Sequence, residues 1–198
     1  MIRFFSAEAL PAVHLGPTGP TTSAFIERGV SSFRDAARLI GELPYSHNSG
    51  RSDQPAVLRA SQGTGSTKHG LLARLALEQN LPIALYIGIY EIDGLNTPRV
   101  GPVLETNGCS LIPEAHCYLK YGSQRIDVTS ARTDARKQPS DRLLVELEIS
   151  PEQTGVYEPL HRRFMRSWMK AASLPRVFTF EQLWGVREAC MGALGPHA

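Results

Sequence analysis

The sequence predicts an α+β fold, and three observations carry that expectation. Apolar residues recur at helical spacing near residues 33–43, 66–80, 161–172 and 180–194. Pro82–Ile92 (PIALYIGIYEI) is a β-branched and aromatic run suited to a central strand. Tyr118–Tyr121 and Gln124–Val128 flank Gly122-Ser123, the arrangement of an antiparallel hairpin with a type II′ turn.

Bulk properties narrow the classes. With 198 residues the chain is long enough for one domain with a sizeable core, and 42% hydrophobic residues argue against disorder. A net charge of +2 is too small to point to nucleic acid. No apolar run reaches the roughly 20 residues that cross a bilayer, so no membrane partner is expected. Met1-Ile2-Arg3-Phe4-Phe5 lacks the continuation of a signal peptide. Three cysteines, at 109, 117 and 190, have no CxxC spacing, which favours a cytoplasmic location and argues against a disulfide framework or a metal centre. No complete nucleotide motif is present, so no cofactor is expected.

The elements follow in order. Residues 1–30, rich in Gly, Pro and Thr, read as an extended lead-in with a strand near Ile2–Phe5. Ser31 or Ser32 caps a helix through Leu43, with Phe33, Ala36, Ala37 and Ile40 as its apolar stripe, and Pro44 ends it. Residues 45–57 read as a polar loop. A helix from about Ser66 to Asn80 buries Leu71, Leu72, Leu75 and Ala76. After the apolar strand, residues 93–112 read as a long loop, often a functional feature in a compact domain. Beyond the hairpin, Val145–Ile149 is a further strand. His161–Ala172 and Phe180–Leu194 are helices, the last with Thr179 and Gln182 at capping-box spacing. Trp168 and Trp184 belong to the core rather than to a site.

The hairpin register places chemistry. With a two-residue turn at 122–123, residues whose numbers sum to 245 face each other. Alternation then puts His116, Tyr118 and Lys120 on one face with Arg125, Asp127 and Thr129. Cys117, Leu119, Tyr121, Ile126 and Val128 take the other, apolar face. His116 and Asp127 become diagonal neighbours about 7–8 Å apart along the backbone, within side-chain reach. An Asp that accepts a proton from one ring nitrogen fixes the His tautomer and stabilises the imidazolium, which makes a general acid/base dyad.

Upstream, Gly63-Thr64-Gly65-Ser66-Thr67-Lys68-His69 feeds a buried helix. It lacks the spacing of a P-loop, and Gly63-x-Gly65 without a third glycine is a weak dinucleotide signal. Followed by the apolar strand, Pro113-Glu114-Ala115-His116-Cys117-Tyr118 and Arg125-Ile126-Asp127-Val128-Thr129, this order resembles the transglutaminase-like branch of the papain-type thiol enzymes. The resemblance covers about Gln62 to Thr129. It implies a papain/transglutaminase-like core, with a Cys-bearing helix packed on an antiparallel sheet, in a single domain over 1–198. Within that domain, 62–129 is the motif core and 150–198 a helical C-terminal part. The implied activity is acyl transfer from an amide to water or to an amine, with His116 as base and Asp127 as its orienter. The nucleophilic Cys falls on Gly65, which has no side chain.

Other residues near the cleft are candidates too. Ser66 serves as nucleophile only if the helix starts one residue differently, since one helical step turns its side chain by roughly 100°. Cys117 points to the opposite face, and Cys109 lies in the loop before the His. Lys68 and His69, cations in a helix's first turn, either bind a carboxylate or phosphate or face solvent. Tyr90, Glu91, Asn96, Arg99, Glu114 and Tyr118 are candidate substrate contacts. Three readings follow. In one, an enzyme uses the dyad for non-covalent acid/base chemistry on a small molecule or peptide. In another, a non-catalytic protein binds such a ligand in the vestigial cleft. In the third, a Cys-dependent amidase, peptidase or transglutaminase is inactivated by replacement at position 65. The sequence leaves the oligomeric state open.

Overall fold

The computed structural model describes residues 4–46, 55–129, 143–172, 174 and 177–194. It is a mixed α+β structure around a five-stranded sheet. Strands β1 (Phe4–Phe5), β2 (Ile83–Asp93), β3 (Leu111–Tyr121), β4 (Gln124–Ile126) and β5 (Leu143–Ile149) lie in the order β1-β4-β3-β2-β5. The long strands β2 and β3 pair antiparallel from Ile83↔Tyr121 to Asp93↔Leu111, and β5 continues the antiparallel sheet on the other side of β2. Only β1 runs parallel to its neighbour, β4.

The hairpin has the register the sequence predicts, with Lys120↔Arg125 and Tyr121↔Gln124 paired. Gly122 takes φ +57, the positive first position of a type II′ turn. The ladder stops at Leu119↔Ile126, two residues short of the predicted strand end. Beyond Ile126 the backbone turns to other partners: Asp127 N–H donates to Phe5 O, and Val128 N–H to a histidine ring.

Seven helices are described: α1 (Pro20–Ile26), α2 (Phe33–Glu42), α3 (Pro55–Ala60), α4 (Gly65–Glu78), α5 (Gly101–Thr106), α6 (Tyr157–Ala171) and α7 (Phe180–Leu194). Helix α2 is capped by the Ser32 hydroxyl, which accepts from Asp35 N–H. Helix α7 is closed by the reciprocal Thr179–Gln182 pair. The main core joins Phe33, Ile40, Leu71, Leu72 and Leu75 of α2 and α4 to Leu85, Ile87, Cys117 and Leu119 of the sheet. A second cluster gathers Ile92, Val100, Leu104, Ile112, Met165, Leu183 and Val186. Trp168 and Trp184 pack against this second cluster.

Four expectations need correction. The lead-in is not extended throughout, because α1 occupies Pro20–Ile26. Pro20 lacks the N–H that a first helical position leaves unused. The carboxylate of Glu78 accepts from Thr21 N–H at 3.0 Å, Thr22 N–H at 2.7 Å and the Thr22 hydroxyl at 2.8 Å. A cap from another helix's end leaves no local signal. The segment read as a polar loop over 45–57 contains the start of α3; its residues 47–54 lie outside the described ones. The long loop over 93–112 holds a 3-10 turn at Pro98–Val100 and α5, with prolines at both starts, and β3 begins at Leu111. Helix α6 starts earlier than expected, at Tyr157, led in by a 3-10 turn at Pro151–Val156.

Glu78→Ala should destabilise the fold by about 1–2 kcal/mol, the size of a lost charged helix cap. Burial works to raise the Glu78 pKa, but the hydrogen bonds from Thr22 and Thr21 lower it below the ordinary value. Its contribution is therefore present above the unfolded carboxyl's pKa and lost as pH falls through the folded one. Urea unfolding of wild type and variant at neutral and acid pH measures both effects; equal midpoints would refute the cap.

Candidate functional site

The site begins with the start of α4. Thr64 accepts from Thr67 N–H while the Thr67 hydroxyl meets Thr64 N–H at 3.0 Å, a capping box built from two threonines. Gly63 is held by hydrogen bonds to Pro44 and Ser46, and a β-carbon there would meet Thr67 Oγ1 at 2.8 Å, so glycine is required. These bonds fix where Gly65, the first residue of α4, stands.

One turn in, Lys68 and His69 tie the helix to the strand exit. Both are fully buried, which corrects the expectation that they face a ligand or solvent. Lys68 Nζ donates to Leu43 O at 2.5 Å and to Thr129 O at 2.8 Å. His69 Nε2 accepts from Val128 N–H at 2.9 Å, so its proton sits on Nδ1 and is donated to Gly65 O at 2.7 Å. Burial lowers the Lys68 pKa to about 8 and the His69 pKa to about 4, with Asp127 opposing in both cases. His69 is a neutral buried spacer at neutral pH. The two side chains have their polar atoms on backbone partners because a buried cation or imidazole without partners is costly.

At the other side of the site, His116 lies on β3 and Asp127 just past β4. His116 Nε2 is 2.9 Å from Asp127 Oδ2, and about a fifth of the His116 side chain reaches solvent. Asp127 Oδ1 accepts Thr129 N–H at 2.8 Å and lies 3.5 Å from His69 Nε2. Burial disfavours the His116 imidazolium, yet the charge and hydrogen bond of Asp127, with Glu114 behind them, raise its pKa above the ordinary value. Burial likewise works to raise the Asp127 carboxyl, but His116, His69 and the Thr129 hydrogen bond hold it far below the usual carboxylate range. Phe4 packs edge-on against His116 at 5.9 Å and against Tyr118 at 5.0 Å.

Gly65 and the dyad meet. A β-carbon on Gly65 would lie 3.7 Å from His116 Cε1 and 3.1 Å from Thr129 Oγ1. With Nε2 on Asp127, Nδ1 is the nitrogen left without a hydrogen-bond partner among the described residues. The Thr129 hydroxyl is buried and also without a partner.

The remaining candidates are placed elsewhere or used otherwise. The Ser66 hydroxyl sits 3.0 Å from Thr64 Oγ1, not on His116. Glu114 is buried in an ion pair with Arg187 of α7, and the Tyr157 hydroxyl donates to the Ala115 carbonyl beside it. Tyr118 is buried rather than lining an open polar face, and its hydroxyl donates to Glu146, which also pairs with Arg125 and Lys120. Asn96 closes the turn after β2 by bonds with Asp93 N–H and Glu91 O. Arg99 is exposed and donates to Leu194 O at the end of α7. Tyr90 packs against the second cluster. No hydrogen bond joins Tyr90, Glu91, Asn96 or Arg99 to the dyad among the described residues. Cys117 is a buried core residue whose thiol pKa burial pushes well up.

Sequence reasoning missed three participants: the Thr129 hydroxyl, the Phe4 cover, and the spacer role of Lys68 and His69. A signal existed for the last. Two cations in a first turn followed by an apolar stripe imply that something nearby accepts from them. Among the described residues no group of three His, Cys, Asp or Glu side chains converges as a metal site would. Comparison of the chain with protein-family models, with curated proteins and with solved structures gave no match.

His69 makes stability acid-sensitive in a defined window. Its folded pKa is about 4 against about 6.5 when unfolded, so between those values the unfolded chain binds the extra proton. Stability is full above about pH 6.5 and falls by about 3 kcal/mol as pH drops to about 4. His116 acts in the opposite sense: its contribution is full below the unfolded value and is lost as pH rises through its raised folded value. Urea unfolding across pH 4–7 should show a flatter dependence in His69→Asn than in wild type; parallel curves would refute the assignment.

Proposed function

We propose that this site performs general acid/base chemistry of the amide acyl-transfer and hydrolysis class, on a papain/transglutaminase-like core and without a covalent thiol step. The observation that carries the reading is the direction of position 65. A β-carbon there would lie 3.7 Å from His116 Cε1, the carbon between the two ring nitrogens, while Asp127 holds the ring through Nε2. The two residues that a thiol enzyme needs beside its nucleophile are in hydrogen-bond contact, and the nucleophile's own position carries no side chain.

Asp127 accepts Nε2–H of the neutral imidazole and so leaves the Nδ1 lone pair as the base. Water on that side of the ring loses a proton to Nδ1 as its oxygen adds to the acyl carbon. The C–N bond then breaks and the imidazolium returns the proton to the departing amine, giving a carboxylate and an amine. Asp127 stabilises the imidazolium between the two proton transfers. The start of α4 supplies backbone N–H groups and the positive end of the helix dipole for the negative charge on the acyl oxygen. Positioned acid/base catalysis of this kind contributes about 10²–10⁴-fold.

A second reading, a non-catalytic site that holds a peptide or small ligand, rests on the same pairing of His116 with Asp127 beside Gly65. It is separated from the first by whether product forms. Incubation with small amides, esters and peptides, followed by mass spectrometry, should yield hydrolysed or transferred product. His116→Ala should lower its rate by about 10²-fold or more while the circular dichroism spectrum is retained. Asp127→Asn should lower it as well, through the wrong tautomer. Product formation undiminished in His116→Ala would overturn the reading, and ligand binding without product would favour the second.

The assembly of the site is testable without a substrate. In Gly65→Cys the new thiol stands at a helix start facing His116, an arrangement that favours the thiolate. Iodoacetamide should label it rapidly at neutral pH, and His116→Ala in the same background should slow the labelling by about tenfold. Slow labelling indifferent to His116 would mean that position 65 and the dyad do not work together.

A further inference from the structure

Away from the dyad, the last turns of α6 and the start of α7 enclose an open concavity of about 420 Å³, within the range of roughly 300–1,000 Å³ that small ligands occupy. None of its lining residues comes from α4, β3 or the exit of β4. Met169, Val177, Phe178 and Phe180 make its apolar surface. Val177 is 70% exposed, so an occupant that covered it would remove apolar area from water.

The polar side chains of the lining are Arg166, Lys170, Thr179 and Gln182, and all four have donors to spare. Thr179 N–H donates to Gln182 Oε1 at 2.7 Å, and Gln182 N–H donates to Thr179 Oγ1 at 3.1 Å. This reciprocal cap uses an acceptor of each side chain. It leaves the Thr179 hydroxyl hydrogen and the Gln182 amide NH₂ without a protein acceptor among the described residues. Arg166 lies over the Phe180 ring at 3.8 Å. A guanidinium stacked on a ring keeps its N–H donors in its own plane, free for an anion at its edge. Neither Arg166 nor Lys170 pairs with a carboxylate among the described residues, whereas Arg162, one turn before Arg166, pairs with Glu158 at 2.9 Å. No Asp or Glu is in the lining: Glu181, in the first turn of α7, is exposed and is not part of it.

We propose that this concavity binds a small organic anion with an apolar body, a free alkyl or aryl carboxylate. Its charge is met by Arg166, Lys170, Thr179 and Gln182, and its body lies against Phe178, Phe180, Val177 and Met169. Charge complementarity selects this occupant. A neutral apolar molecule would leave two cations unpaired, and a bare inorganic anion would leave the apolar surface in water. Stacking on Phe180 holds the Arg166 fork in place, so less freedom is lost when it pairs. The site is independent of the acyl-transfer reading.

The probe is octanoate, titrated into the full chain below its micellar concentration at constant ionic strength. Binding is followed by calorimetry and by the side-chain amide resonances of Gln182. Saturable binding is expected, about tenfold tighter than that of octan-1-ol, with none for acetate. Arg166→Met keeps the apolar stem at an exposed position and should weaken octanoate by about fivefold. Gln182→Glu keeps the oxygen that caps Thr179 N–H but places a negative charge at the rim. It should weaken octanoate by about tenfold with the thermal midpoint retained. Absence of saturable octanoate binding, equal affinity for octan-1-ol, or an affinity unchanged in either variant would overturn the proposal. Acetate bound as tightly as octanoate would mean an adventitious ion only and would also overturn it. Tighter binding of a short peptide ending in phenylalanine would assign the concavity to a protein terminus and overturn the small-molecule occupant.

Discussion

The docking of α4 onto the exit of β4 is the constraint on which the rest of the site depends. Two buried side chains make it. Lys68 bridges the carbonyls of Leu43 and Thr129, and His69 bridges Gly65 O and Val128 N–H. Each joins the helix to a strand or loop distant in sequence through backbone groups, which cannot be shifted by a rotamer change. Gly65 thereby comes to stand beside both His116 and Thr129. The apolar contacts of Leu71, Leu72 and Leu75 hold the helix against the sheet, but apolar packing is not directional. The polar bridges set the position of its first residue.

A chain of hydrogen bonds also assigns the protons. Val128 N–H requires a lone pair on His69 Nε2, which puts that proton on Nδ1 and on Gly65 O. Asp127, receiving Thr129 N–H on one oxygen, offers the other to His116 Nε2. The first histidine is kept neutral by burial, the second raised by a carboxylate. Two imidazoles 6.0 Å apart thus differ in state: one is a neutral spacer on backbone partners and the other is paired with a carboxylate. Environment, not residue type, makes that difference.

Much of this was legible in the sequence where the physics is local. The 122–123 turn and strict alternation gave the pairing of β3 with β4 and brought His116 and Asp127 to one place. Capping residues marked α2 and α7, and the apolar run marked β2. What failed were features with distant causes. Helix α1 is capped by a carboxylate 56 residues away in sequence, so its own composition reads as extended chain. Glu114 shares a strand face with His116 and looked available, but Arg187 of α7 neutralises it. Tyr118 looked like part of an open polar face until Phe4 and Glu146 covered it.

The sequence by itself determined the α+β class, the hairpin register and the dyad, because turn geometry and period-two alternation act over a few residues. It also determined that the position at the head of α4 carries no side chain. Only the tertiary structure decided that this position stands beside the His116 ring, that Lys68 and His69 belong to the scaffold, and that the buried Thr129 hydroxyl packs against Gly65. Those outcomes depend on which backbone groups of one segment are left unpaired for the side chains of another. That is settled when the elements pack, because every buried polar group must then find its partner.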